Sequence, residues 1–337
     1  MHRSEITIDL GAIRHNVRRL LDALDGAELW AVVKANGYGH GAVDVGRAAL
    51  EAGATALCVA TVDEGLEVRG VLPEARILVM GPTEQAAEAR EARLELTVSR
   101  DGEIPPDIAV HLKLDTGMGR WGLAELPEPP ANVVGLMSHL ATSDSDPEFA
   151  RRQIERFAEA TEPYAHLTRH VANSGAALRI PESRFDAARC GIAVYGISPF
   201  GTDPAEDGLR PALAWRSHLA QVRLLQPGES TGYGRRFVAA EPTWIGIVPV
   251  GYADGFRRDL TGTEVLVDGA PRRAVGTVSM DAVAVELDRE LPVGTPVTLI
   301  GDGILIERHA EVAGTIGYEI ACGIESAPGR ATRRATD

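Results

Sequence analysis

The chain has 337 residues, with 34 Lys and Arg against 48 Asp and Glu, a formal charge of −14 and 45% apolar residues. That composition is globular and long enough for two domains, or for one barrel with an appendage. The acidic balance argues against a nucleic acid or an anionic membrane surface as partner, because both reward a basic face.

Cys58, Cys190 and Cys322 are odd in number and lack C-x-x-C spacing, so neither a disulfide framework nor a cysteine zinc site is indicated, and no metal is expected. Met1-His2-Arg3-Ser4-Glu5 leads into alternating residues rather than an apolar secretory core, and no run approaches the roughly 18 apolar residues of a spanning helix. A cytoplasmic protein is expected.

Glu5 to Leu10 alternates as a short strand, and Ile13, Val17, Leu20, Leu21 and Leu24 then share one helical face over Ala12 to Leu24. A repeating alternation follows. Apolar strand candidates at Leu29–Val33, Ala56–Ala60, Ile77–Met80, Leu94–Val98, Ile108–Leu114, Val133–Ser138, Thr168–Val171 and Ile192–Ile197 are interspersed with helical segments, the longest Pro147 to Tyr164. Continuous apolar strands linked by helices predict a parallel sheet buried on both faces. Eight strands suit a closed (β/α)8 TIM-type barrel, with an open doubly wound sheet as the competing architecture. From Pro211 onward, short strand-like runs separated by Gly and Pro predict a mainly β C-terminal domain, with one helix around Ala310 to Gly317. The expected domains are therefore an α/β barrel over 1–210 and a mainly β domain over 211–337.

The most informative segment is Leu29 to Gly41, an apolar strand ending in Lys34 and a glycine-rich loop with Tyr38. Active sites of α/β barrels lie at the carboxyl ends of the strands, so a lysine there is aimed at the mouth. Partial desolvation lowers a lysine pKa and yields the neutral amine needed for Schiff-base chemistry. From spacing alone a solvated loop lysine is equally consistent.

Val33-Lys34-Ala35-Asn36-Gly37-Tyr38-Gly39-His40-Gly41 resembles the coenzyme attachment segment of the alanine racemases, pyridoxal-phosphate enzymes of fold type III. The resemblance implies that Lys34 carries pyridoxal 5'-phosphate and that Tyr38 contacts its phosphate. Further landmarks occur in order. His111 to Gly122 resembles the segment in which a lysine, here Lys113, is often carbamylated, and an arginine, here Arg120, binds the substrate carboxylate. A carbamate would make Lys113 an anion able to orient Arg120; the bland alternative has Lys113 in solvent and Arg120 packed on Trp121. Ser138-His139-Leu140 and His170-Val171-Ala172-Asn173-Ser174 resemble segments around the coenzyme. Ser174 would serve the phosphate at the start of a helix, where the dipole favours an anion; a plain N-cap serine is the competing reading. For His139 and His170 the competing reading is a satisfied core histidine.

Arg189-Cys190-Gly191-Ile192 resembles the segment whose arginine faces the pyridine nitrogen and whose Gly-Ile backbone reaches the phosphate, with Cys190 where proline is common. An arginine donates to that nitrogen without readily protonating it. In the β domain the same resemblance implies that Tyr233 is the second catalytic base, that Tyr252 lines the entrance and that Met280-Asp281 meets the substrate carboxylate, with Ser279 replacing a frequent cysteine. The resemblance runs from Ile8 to about Cys322. It weakens at Gly323 to Arg330, where Ser326 stands in place of a phosphate-contacting tyrosine.

The resemblance implies a two-base racemase interconverting L- and D-alanine for cell-wall synthesis. Lys34 would serve one face of Cα and Tyr233 of a neighbouring subunit the other, which makes the homodimer a catalytic requirement. His139 with Arg189 would ease deprotonation of that tyrosine. Broader specificity, serine included, stays open, as does a coenzyme-binding regulatory paralogue without turnover. A decarboxylase is disfavoured by Arg120, which would hold the departing carboxylate, and a non-catalytic barrel by the additional β domain.

Overall fold

A computed structural model describes residues 3–102, 104–324 and 329–337. Contacts divide the chain into two units, one spanning 11–200 with 204–210, the other comprising the residues up to Leu10, 201–203 and 211–337.

The first strand, β1 (Glu5–Asp9), buries Ile6 and Ile8 on one face. After it come the strands of the first unit: β2 (Glu28–Val32), β3 (Ala56–Val59), β4 (Ile77–Val79), β5 (Glu95–Val98), β6 (Val110–Lys113), β7 (Val133–Met137), β8 (Thr168–His170) and β9 (Ala187–Cys190). They form a closed barrel in sequence order, sealed by the parallel pairing of Glu28–Ala31 in β2 with Ala187–Cys190 in β9. Every residue of β3, β4, β6 and β9 is buried, as expected for strands covered on both faces. The doubly wound alternative is excluded by this closure.

Local chemistry sets the crossovers. Thr61 starts the helix Val62–Val71 with a reciprocal capping box to Glu64. Asp146 accepts from Phe149 N at the start of Pro147–Thr161, with proline in the first helical turn. Between β6 and β7 the chain forms no helix, and this long segment carries Arg120.

The eighth barrel strand is Ala187–Cys190, not Ile192–Ile197. Gly191 breaks the strand at φ −108° and ψ −92°, and Ile192–Tyr195 is a buried 3-10 turn. A short apolar run does not distinguish a strand from a buried helical turn, and Arg189 masks the true strand as polar.

The second unit carries β10 (Leu213–His218), β11 (Gln221–Leu225), β12 (Ser230–Thr231), β13 (Phe237–Val238), β14 (Thr243–Val248), β15 (Glu264–Val267), β16 (Ala270–Val275), β17 (Val283–Leu287), β18 (Pro296–Ile300) and β19 (Thr332–Thr336). Its main sheet runs β11-β14-β17-β16-β15-β18-β10-β1-β19 among the described residues. β1 pairs antiparallel with β10 and parallel with β19, so this strand groups by contacts with the second unit. The single helix expected near Ala310 is two, Ile306–Ala313 and Gly317–Cys322, separated at Gly314 with φ +65°.

Candidate active site

Lys34 follows β2 and is half-buried. The chain then makes a left-handed turn: Ala35, Asn36, Gly37 and Tyr38 have φ of 51°, 49°, 61° and 52°. Left-handed geometry costs an L-residue about 1–2 kcal/mol, so fixed partners must hold three such residues. Ala35 N donates to Glu64 Oε1 at 2.8 Å, Gly37 N to Val33 O at 2.8 Å, and Ala42 N to Asn36 Oδ1 at 3.1 Å. The reversal buries Tyr38, whose ring lies 5.0 Å from that of Tyr195.

Tyr38 faces the turn after β9. A Cβ added to Gly191 would stand 2.5 Å from the Tyr38 hydroxyl oxygen, so only glycine leaves this space open. Ser174 Oγ accepts from Gly191 N at 3.0 Å and Ala193 N at 3.4 Å. Asn173, not Ser174, is the N-cap: its side chain accepts from Ala176 N at 3.1 Å. That releases the Ser174 hydroxyl to face the turn, where Ile192 is fully buried.

Arg189 is buried on β9. One terminal nitrogen donates to His170 Nδ1 at 2.6 Å and to His170 O at 2.8 Å; the other donates to Ser138 O at 2.6 Å and reaches His139 Nδ1 at 3.5 Å. Burial lowers its pKa to about 10, which leaves a cation at neutral pH. Burial, then the Arg189 charge, holds both His170 and His139 well below the usual imidazole range, so both are neutral. Gln153 fixes the His139 segment, donating to His139 O and accepting from Ala141 N.

Lys113, the last residue of β6, is buried, and desolvation followed by the charges of Arg189 and Arg120 lowers its pKa to about 8. Arg120 is exposed; its guanidinium carbon lies 5.3 Å from the Trp121 ring centre, and the Lys113 ammonium lies 5.7 Å from the same ring. Lys113 is thus not in solvent, whereas Arg120 does pack on Trp121. Asp115 folds the intervening loop by accepting from Gly117 N, Met118 N and Gly119 N.

In the β unit, Tyr233, Tyr252 and Met280 are exposed on loops that hold one another. Thr277 Oγ1 donates to Tyr233 O at 2.9 Å, and Tyr252 N donates to Ser279 O at 3.0 Å. Buried Asp254 accepts from Gly251 N at 2.9 Å and Arg330 Nε at 2.8 Å, while Asp281 accepts from Arg330 at 2.8 Å. Ser326 lies outside the described residues.

Sequence reading missed Glu64, Glu95, His111 and Gln153. The signal for His111 was its i, i+2 spacing from Lys113, which puts both on one face of β6. Glu64 and Gln153 act through backbone groups and leave no motif.

A lysine amine whose charge is felt by Lys113 beside those of Arg189 and Arg120, at the mouth of a parallel barrel, equips an enzyme to hold an anionic carbonyl coenzyme. The profile of the alanine racemase N-terminal domain matches residues 8–199, and that of the alanine racemase C-terminal domain matches residues 212–332. Alanine racemase of Lactiplantibacillus plantarum is 40% identical over 96% of each chain, and that of Geobacillus stearothermophilus 42% identical over 94% of this chain and 90% of that protein. The crystal structure of alanine racemase from Streptomyces lavendulae superposes with a TM-score of 0.90 at 36% identity, covering 100% of this chain and 98% of that one. The Bacillus anthracis alanine racemase with bound L-Ala-P gives 0.87 at 33% identity, covering 100% and 96%. The chain belongs to the alanine racemase family, whose members depend on pyridoxal 5'-phosphate.

The residues present fit that coenzyme. The Tyr38 and Ser174 hydroxyls converge beside Gly191 in a space that any other side chain at residue 191 would fill, and buried Arg189 supplies a donor that stays charged.

Proposed function

We propose that this protein interconverts L- and D-alanine by moving the Cα proton between two residues on opposite faces, and thereby supplies D-alanine. Lys34 holds pyridoxal phosphate and serves one face; Tyr233 of a partner subunit serves the other. The observation that carries the reading is the left-handed turn after Lys34, which puts Lys34 and Tyr38 on one short segment and the Tyr38 hydroxyl beside Gly191, whose amide donates to Ser174. The L-Ala-P bound to the Bacillus anthracis relative supports alanine as the substrate.

Pyridoxal phosphate, when bound, withdraws electrons from the substrate and makes its Cα proton acidic. This chain's residues do the rest. Tyr38, Ser174, Gly191 and Ile192 would anchor the phosphate. Arg189, a donor that stays charged, would hold the pyridine nitrogen without readily protonating it. Arg120 would bind the carboxylate, joined by Met280 of the partner subunit, whose β unit also brings its Asp281 and Tyr252. Inversion needs a proton removed on one side and delivered on the other, hence two groups. A phenol is a weak acid, and neutral His139, next to Arg189, is the acceptor that would ease deprotonation of the partner's Tyr233.

Lys113 has the lowered pKa that carbamylation requires, because a neutral amine attacks carbon dioxide and releases one proton. The resulting carbamate would orient Arg120. A homodimer is part of this reading, since Tyr233 is exposed on the β unit. So is a cytoplasmic location, supported by the buried thiols Cys58 and Cys190. No helix among the described residues is long and apolar enough to cross a membrane.

The test is Cα hydrogen exchange with solvent deuterium, and interconversion of both alanine enantiomers, by the coenzyme-loaded protein. Exchange of neither enantiomer would instead favour the regulatory reading.

A further inference from the structure

Behind Arg189, the interior of the barrel holds a chain of polar side chains to which the reaction above gives no role. From Arg189 it passes to His170 Nδ1 at 2.6 Å, from His170 Nε2 to His111 Nδ1 at 2.8 Å, and from His111 Nε2 to Glu95 Oε2 at 2.8 Å. Arg76 closes the far end, with Nε 2.7 Å from Glu95 Oε1 and a terminal nitrogen 3.1 Å from Oε2. Both histidines and Arg189 are fully or almost fully buried.

Donor and acceptor chemistry leaves one way to place the hydrogens. A guanidinium only donates, so His170 Nδ1 accepts and its hydrogen sits on Nε2. That N–H donates to His111 Nδ1, which puts the His111 hydrogen on Nε2, facing the carboxylate. Every bond therefore runs in one direction, from cation to anion. Burial holds both imidazoles below their usual range, which keeps them neutral as the pattern requires. Burial works to raise Glu95, but His111 and Arg76 bring its pKa below the ordinary value.

The packing is specific to these rings. Trp30 lies 5.6 Å from the His111 ring and 4.5 Å from the His170 ring, and the Arg76 guanidinium stacks 4.5 Å from the Trp30 ring centre. A Cβ at residue 135 would collide with His111 Nδ1, so Gly135 makes room for the ring.

We propose that Glu95 is a positioning residue for the reaction: by fixing the tautomers of His111 and His170, it holds Arg189 against the coenzyme's pyridine nitrogen. The proposal rests on the assignment of Arg189 to that nitrogen. Without an acceptor at residue 95, His111 is free to carry its hydrogen on Nδ1. His170 then accepts on Nε2 and carries its own hydrogen on Nδ1, where it opposes the Arg189 donor. The guanidinium loses a partner at 2.6 Å and shifts.

The experiment has two arms. In the full-length, coenzyme-loaded protein labelled with 15N-histidine, NMR should show His111 and His170 neutral with hydrogen on Nε2. Either ring protonated, or carrying hydrogen on Nδ1, overturns the proposal without any variant. In the second arm, Glu95→Leu should lower kcat about tenfold or more with KM changed little, and should shift the visible absorption of the bound coenzyme. Glu95→Gln, which keeps one acceptor, should retain more activity and a spectrum nearer to wild type. Wild-type kcat and spectrum in both variants would sink the idea while leaving the racemase reading intact. A wild-type protein that loads no coenzyme on Lys34 would instead remove the assignment of Arg189, and the proposal with it.

Discussion

The Ala35 amide donates to the Glu64 carboxylate at 2.8 Å, tying the residue after Lys34 to the first turn of the helix Val62–Val71. The other Glu64 oxygen accepts from Ala60 N at 2.7 Å. One side chain thus joins the ends of β2 and β3 and restrains the left-handed turn. Glu64→Ala should cost about 1–3 kcal/mol in urea unfolding, because these amides lose their acceptor. It should also lower the yield of labelled Lys34 peptide recovered after borohydride reduces the lysine–coenzyme linkage and the protein is digested. Unchanged stability would mean that water replaces the carboxylate fully.

Gly191→Ala should weaken coenzyme binding about tenfold or more, since the new methyl occupies the space beside the Tyr38 hydroxyl. Fluorescence titration of the apoprotein with pyridoxal phosphate reads this directly. Wild-type affinity would place the phosphate elsewhere.

Tyr233→Phe separates the two faces. Lys34 should still exchange the Cα hydrogen of one alanine enantiomer with solvent, while interconversion falls by at least about a hundredfold. Equal loss of exchange from both enantiomers, or unchanged interconversion, would contradict the assignment of one base to each face.

Lys113 makes stability depend on pH with a definite sign. Its pKa is about 8 in the fold against an ordinary 10.5. Between these values the unfolded chain binds a proton that the folded chain does not, so the contribution of this residue to stability rises with pH. Lys113→Met should therefore be more stable than wild type at pH 7, with the gap closing as pH rises from about 8 to about 10.5. Urea unfolding in bicarbonate-free buffer at both ends of the window measures it. A gap that widens with pH would contradict the burial of a charged amine.

The barrel was legible because its strands are buried on both faces and read as apolar runs. Its last strand was not, since Ala187-Ala188-Arg189-Cys190 hides a buried cation in a run too short to show a period. The nine residues from Val33 to Gly41 named the site, yet nothing in that string announces four consecutive left-handed residues. Asn36 and Gly37 tolerate such geometry locally, whereas Ala35 adopts it because Glu64, some thirty positions on, accepts its amide. Glu95 was invisible for a related reason. Its partners His111 and Arg76 come from neighbouring strands, so the link exists only after the barrel has closed.

The placement of β1 bears on how its sheet is completed. Glu5–Asp9 finds its two neighbours at Leu213–His218 and Thr332–Thr336, both further along the chain than Ala187–Cys190, which seals the barrel. Pairings so distant in sequence carry a large loop-closure cost, so this part of the sheet should assemble slowly, and deleting Thr332–Thr336 would strip one flank of β1.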